Sequence, residues 1–368
     1  MGFEEGFHWH DQRTSAKQEV VIRRIKLKAG GVYQLVPSTM MPYLSGHTRE
    51  VSNGLWLRHW AVPYEVIAAV LGRDASYWER MEYGLARISL VGSLVKTGSV
   101  PSHLAADEKI TYRNGQECYI GLTAGGDCVL GAELSLKEDT VHLAEAYGVF
   151  KAEAQTVEPT YCPLSVNLDG WQASNAAWKG LFEQVTIVLC FLHAYLKIRD
   201  VGKGLKDRFG ELGNQLWAVY RQADKVLFRQ QMGALLLWAQ VNLADVDRVR
   251  LKVETLCGKV SLFETAYDHP ACYRTSNQID RPMDSLDRYL YAMRYFKGHR
   301  SSANAKIRAW ALVYNFAPFS KRVQNRAERP KKSSRFEEFN GFIYQANWLE
   351  NLLIAGSMNG FRCSHKIR

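Results

Sequence analysis

The sequence has no apolar run approaching the roughly 20 residues that a membrane-spanning helix needs. Its longest candidates, Ile187–Leu192 and Gly233–Ala239, are far too short. The N-terminal stretch MGFEEGFHWHDQR lacks the apolar core of a secretory signal. Cysteine is sparse and unpaired in pattern: the seven residues are scattered, odd in number and without a C-x-x-C pair, which excludes a disulfide-stapled small domain and fits a reducing compartment. No internal repeat or low-complexity tract is present, so solenoid and fibrous architectures are excluded. These absences predict a soluble protein acting inside the cell.

What is present is enough for real cores. The 368 residues are 47% hydrophobic and 12% aromatic, long enough for two or three domains and too apolar for a disordered chain. The 47 Lys and Arg exceed the 37 Asp and Glu, giving a formal charge of +10, which favours a polyanionic partner such as nucleic acid. The excess is concentrated: from Arg294 to Arg335 twelve cations face the single acid Glu328.

Residues 1–53 show no sustained period and read as a weakly structured lead-in. From Gly54 to Val95 apolar residues recur at helical spacings, interrupted at Gly72. Three strands follow, LAADEKITY, ECYIGLTA and CVLGAEL, separated by the turn formers Asn114-Gly115 and Gly125-Gly126-Asp127. Next come a helix from Thr140 to about Ala154, a strand LSVNLD, a helix from Ser174 to Phe182 and a strand TIVLCFL. Residues from Ala194 to about Tyr267 read as helical, with further helices over Met283–Phe296 and Ala303–Tyr314. This order predicts an α/β fold with a mixed sheet, interrupted by an all-helical block.

Asp107 falls in the first of these strands, Asp169 directly after the fourth, and Asp280 at the mouth of a late helix. Two-metal phosphoryl transfer needs hard oxygen ligands converging from separate elements on two cations about 3.5–4 Å apart. If the first and fourth strands are neighbours, Asp107 and Asp169 stand side by side, and a helix crossing the sheet brings in the third acid. By spacing alone the three are equally readable as turn and helix caps.

The wording around them narrows the choice. The segments AADEKITYRNGQECYIGLTAGGDCVLG, NLDGWQASNAAWKGLF, VLCFLHAYLK and YRTSNQIDR, in this order over about residues 104 to 320, resemble bacterial insertion-sequence transposases of the acidic-triad (DDE/DDD) class. They resemble Mutator-like transposases more distantly. The resemblance implies a ribonuclease-H-like α/β core in which Asp107, Asp169 and Asp280 hold two Mg²⁺ (or Mn²⁺) ions. The third acid of that class is usually Glu; here it is Asp280, with Asp284 and Asp287 following at helical spacing and Pro282 two residues on. The same resemblance gives Cys190 and His193, on the strand after the second acid, a supporting role. As a zinc site that pair would need two more ligands from Cys162, Cys257, Cys272 and His269. Arg274 and Asn277 contact the scissile phosphate or orient Asp280, or serve as solvated caps. Trp171 is either a core residue or a ring that stacks on a displaced base.

The stretch PYEVIAAVLGRDASYWERM has the pattern of a helix-turn-helix: Ala68 small at the crossing, Gly72 for the turn, and Ile67, Val70, Leu71, Trp78 and Met81 apolar. Its second helix, from about Ala75, would offer Ser76, Tyr77, Glu79 and Arg80 to the major groove. Lys321, Arg322, Arg326, Lys331 and Lys332 read as phosphate contacts of a basic tail. The division expected is a lead-in (1–53), a helix-turn-helix DNA-binding domain (54–100), a first part of the catalytic core (101–200), a helical insertion (201–270), a second part (271–320) and the tail (321–368). Double-stranded DNA, as transposon ends and target, is the expected partner, with a homodimer or larger assembly implied by the resemblance and a cytoplasmic, nucleoid-associated location. A non-catalytic DNA-binding protein, or another nuclease or resolvase of the same fold, also fits these residues.

Overall fold

The computed structural model describes residues 5–16, 19–321 and 334–357. An antiparallel sheet opens the chain, β1 (Phe7–Ser15), β2 (Val20–Leu27) and β3 (Val32–Leu35) in that order. The lead-in expected to be weakly structured therefore folds: β2 alternates well enough to bury Ile22, Ile25 and Leu27, a short pattern masked in the sequence by its charges. Helices α1 (Thr48–His59), α2 (Tyr64–Leu71), α3 (Ala75–Leu85) and α4 (Leu90–Leu94) follow.

The central sheet holds β4 (His103–Arg113), β5 (Gln116–Gly125), β6 (Cys128–Ser135), β7 (Ser165–Leu168) and β8 (Thr186–Leu189) in the order β6-β5-β4-β7-β8. Strands β4–β5–β6 are antiparallel neighbours, while β7 and β8 join in parallel, as βαβ crossovers require. Both hairpins turn where the sequence predicts. Asn114 and Gly115 have φ of 52° and 78°, and Gly126 and Asp127 of 59° and 62°, the paired positive values of the turn that matches strand twist. Helices α5 (Thr140–Val157) and α6 (Gln172–Leu181) cover one face with Tyr147, Phe150 and Trp178; Gly131 leaves the room that Phe150 fills, since a Cβ there would stand 2.8 Å from it.

Helix α12 (Asn277–Met293) crosses the other face, where Lys109 reaches Asp287 (2.6 Å). It begins six residues before the helix expected from Met283, with Pro282 inside it. Helix α13 (Arg300–Phe316) runs along the edge strand β6. Asn315 accepts from the Val129 N–H (2.9 Å) and donates to its carbonyl (2.7 Å), and Asn304 accepts from the Leu134 N–H (2.9 Å), so side chains complete an edge that would otherwise be open.

Between β8 and α12 lie α7 (Phe191–Gly202), α8 (Asp207–Tyr220), α9 (Lys225–Asn242), α10 (Asp247–Cys257) and α11 (Val260–Glu264), built around their own apolar core of Leu212, Leu216, Phe228, Leu235 and Val253. Strand β8 is shorter than expected: it ends at Leu189, so Cys190 caps α7 and His193 lies in that helix's first turn. Residues 334–357 form α14 (Arg335–Asn340) and α15 (Trp348–Ser357), whose Phe336, Leu349 and Leu352 enter the main core. That stretch is therefore not part of a basic tail. Arg322, Arg326, Lys331 and Lys332 lie outside the described residues. A single core joins α1–α4 to the sheet and to α12–α15.

Candidate functional site

The parallel register of β4 and β7 pairs Ala105 with Asn167, and continuing it two residues brings Asp107 level with Asp169. Asp107 accepts from the Glu108 N–H (2.9 Å), and its other oxygen lies 3.9 Å from His193 Nε2. Burial pushes its pKa up to about 6; the charges of Asp169 and Asp280 add to the rise, and His193 opposes it. Asp169 sits past the end of β7 in a turn whose Gly170 has φ 88°, accepting from the Trp171 N–H (2.7 Å), with Lys197 Nζ 3.7 Å from its second oxygen. Asp280 stands in the first turn of α12. Burial raises its pKa and the Ser276 hydroxyl and His193 counter that rise.

His193 is the electrostatic hinge of the group. The Cys190 sulfur beside it, and then Asp107 and Asp169, raise its pKa to about 9 against burial. The Cys190 sulfur also accepts from the Ser276 N–H (3.1 Å), and the Phe191 N–H donates to the Arg274 carbonyl (3.0 Å). These bonds tie the start of α7 to the start of α12 and thereby hold Asp280 near the sheet.

Glu108, next to Asp107 and pointing to the opposite face, is a buried acid whose pKa burial lifts to about 7. Tyr147 (2.7 Å) and Ser174 donate hydrogen bonds to it from α5 and α6. Sequence reasoning did not single out Glu108 or Lys197. A strand's two-residue alternation sends Glu108 away from Asp107, and Lys197 joins the site only because α7 begins at Phe191, which puts it one turn beyond His193. Lys197 also borders a cleft of about 340 Å³ that runs from Asp169 and Gly170 to Lys252, Lys259 and Phe263 of the helical block.

Other expected participants are placed elsewhere. The Arg274 guanidinium is held between the rings of Tyr220 (4.7 Å) and Tyr267 (4.6 Å) and donates to the Tyr267 hydroxyl (2.8 Å). Asn277 is exposed at the first position of α12, and Trp171 is half-buried, its ring centroid 6.2 Å from that of Tyr119. Among the described residues no three His, Cys, Asp or Glu side chains already surround a single metal-ion position. Cys257 is buried in the helical core and Cys162 is exposed, which separates the thiols that a zinc site at Cys190 would need.

In the α2–α3 pair, Gly72 and Arg73 turn the chain with φ of 77° and 66°, and Asp74 caps α3 by accepting from the Tyr77 N–H (2.7 Å). Ser76 and Arg80 are exposed and bonded to each other (2.9 Å), while Glu79 pairs with Lys306 of α13 (2.8 Å). Tyr77 is buried edge-on against Trp78, contrary to the groove-facing position expected of it, and Val70, expected to be core, is exposed. Helical phase explains both: Tyr77 falls on the face of α3 that packs inward and Val70 on the outer face of α2. No family model matches this chain, and no curated protein is significantly similar to it.

Proposed function

We propose that this protein is a DNA transposase, cutting and joining DNA through carboxylate-held divalent metal ions on a ribonuclease-H-like core. The observation that carries the reading is that Asp107, Asp169 and Asp280, from a central strand, a strand end and a crossing helix, gather about the ring of His193. The β6-β5-β4-β7-β8 order, with the first three strands antiparallel and the last two parallel, supports the core assignment.

The donor set suits Mg²⁺ or Mn²⁺: three carboxylates, hard and anionic, one of them reluctant to ionise without a cation beside it. Asp107, Asp169 and Asp280 would hold the ions, which when bound polarise the scissile phosphate and activate a water or a 3′-hydroxyl. Around them the chain supplies charge and position. His193 presents a cation beside Asp107, Lys197 offers a second to a phosphate approaching along the cleft, and Cys190 holds the start of α12 in register. Exposed Ser76 and Arg80 on α3, together with Lys321, provide further polar contacts for duplex DNA.

The test is Mg²⁺-dependent cleavage and strand transfer on the DNA ends flanking the gene. Asp169→Ala and Asp280→Ala should each lower the rate by on the order of a thousandfold while end binding persists. Cleavage that survives Asp280→Ala assigns the third ligand to Asp284. One observation favours a second reading, a DNA-binding protein without catalysis: His193 and Lys197 stand 3.9 and 3.7 Å from Asp107 and Asp169 and can pair with these acids in place of metal ions. Binding of ends with no cleavage in Mg²⁺ or Mn²⁺ would establish it.

A further inference from the structure

Strands β1 and β2 form a ribbon that carries several exposed cations. From Phe7 to Lys28 the chain carries six Lys or Arg against Asp11 and Glu19. Asp11 is already bound by Arg24. Among the described residues Arg13, Arg23 and Lys26 have no ion-pair partner, and all three are exposed. Every residue from Phe7 to Thr14 is exposed, including Trp9 at 62%.

The register sorts these side chains. Residues directly opposite each other share a face, so Gln12 stands beside Arg23 and Trp9 beside Ile25 on one face, while His8–Lys26 and Arg13–Ile22 lie on the other. A bulge between Trp9 and Asp11 bends the ribbon and adjusts which face each residue takes. The first face thus offers adjacent exposed Arg and Gln side chains, the two types that bond guanine and adenine edges in two-pronged fashion. The opposite face carries the cations Arg13 and Lys26. Arg23 lies over the Trp9 ring at 5.7 Å, and Phe7 meets Trp9 edge-on (85°). One face of the Trp9 ring is thus taken by Arg23.

We propose that this ribbon reads double-stranded DNA in the major groove, with Arg23 and Gln12 meeting base edges and Trp9 bracing Arg23, while Arg13 and Lys26 on the opposite face add to the attraction of the phosphate backbone. The inference shares with the proposed function only the DNA partner, and it places sequence reading on a strand face separate from the acids. It explains an exposed edge strand bearing a tryptophan, which a monomeric sheet ordinarily avoids.

The experiment uses the full chain and a pool of duplexes with a randomised core, from which bound sequences are selected and affinities measured by fluorescence anisotropy. Arg23→Ala should lose about tenfold to a hundredfold on the selected duplex and little on its scrambled version, with Gln12→Ala relaxing selection at a neighbouring base pair. Lys26→Ala should weaken both duplexes alike and lower the slope of log affinity against log salt by about one. Wild-type selectivity in both Arg23→Ala and Gln12→Ala, or a preference for single strands, overturns the proposal. Absence of any duplex binding by the intact chain overturns the DNA partner as well. Loss of selectivity in Arg23→Ala alongside a failure to cleave sustains the ribbon's role and defeats only the catalytic reading.

Discussion

Glu133 shows at the scale of one residue how burial sets a charge state. On β6 it is only 8% exposed, and burial pushes its pKa up to about 7; Glu153 adds to the rise, while Arg308 and Arg300 pull against it. An acid raised in the folded state adds stability that is complete below its unfolded pKa and is lost as pH climbs through the folded value. Glu133→Gln removes that liability. The variant should match the wild type near pH 4 and gain up to about 3 kcal/mol above pH 7, seen as a rising difference in thermal midpoint. A difference that stays constant with pH would show that Glu133 is ionised throughout. The acids of the candidate site obey the same physics, but a sequence shows only that they are acids, because desolvation depends on what covers each one.

Among the elements, β6 is a sheet edge completed by side chains. Asn315 supplies both an acceptor and a donor to Val129, and no carbon side chain of that size replaces either bond. Asn315→Leu should cost about 2–6 kcal/mol, since two buried backbone groups lose their partners at about 1–3 kcal/mol each. Urea unfolding measures it, and faster amide exchange at Val129 would locate the damage. A cost below half a kcal/mol would mean that water completes the edge instead. The hairpins at Asn114-Gly115 and Gly126-Asp127 were legible because their chemistry is local to two residues. The pairing of Asn315 with β6 was not, since the residues are far apart in sequence and an asparagine in a helix carries no signal of its partner. The end of β8 escaped detection for a related reason: TIVLCFL is uniformly apolar, and a buried strand and the first turn of a buried helix then look alike.

Across the whole molecule, buried ion pairs join parts distant in sequence. Arg308 of α13 pairs with Glu153 of α5, which also accepts from the Ser89 hydroxyl (2.6 Å) and the Val91 N–H (3.1 Å) at the start of α4. A second group centres on Glu82 of α3, bonded by Tyr64 of α2 and by Tyr289 of α12 (3.1 Å), with Arg58 of α1 between the two tyrosine rings. Through these contacts α1–α4 share one body with the sheet and with the helix that bears Asp280. Arg308→Met should cost about 3–5 kcal/mol by stranding the Glu153 charge, and the double variant Arg308→Met, Glu153→Leu should recover only part of it, since the Ser89 hydroxyl and the Val91 N–H then lose their acceptor. Urea midpoints of the three chains decide this; a double variant as weak as the single one would show that the geometry, not the stranded charge, is what matters.

The mixed α/β plan, the strand and turn order from Leu104 to Leu189 and the helical block before α12 were legible in the sequence, because periodicity, turn chemistry and residue type act over a few neighbours. Contacts between distant segments set the rest: that β1, β2 and β3 form a sheet, that Tyr77 points inward, that His193 and Lys197 stand against Asp107 and Asp169, and that residues 334–357 close the main core. Those outcomes depend on which surfaces meet. Burial, pairing and proton affinity are properties of a contact between distant segments, and no single segment carries them.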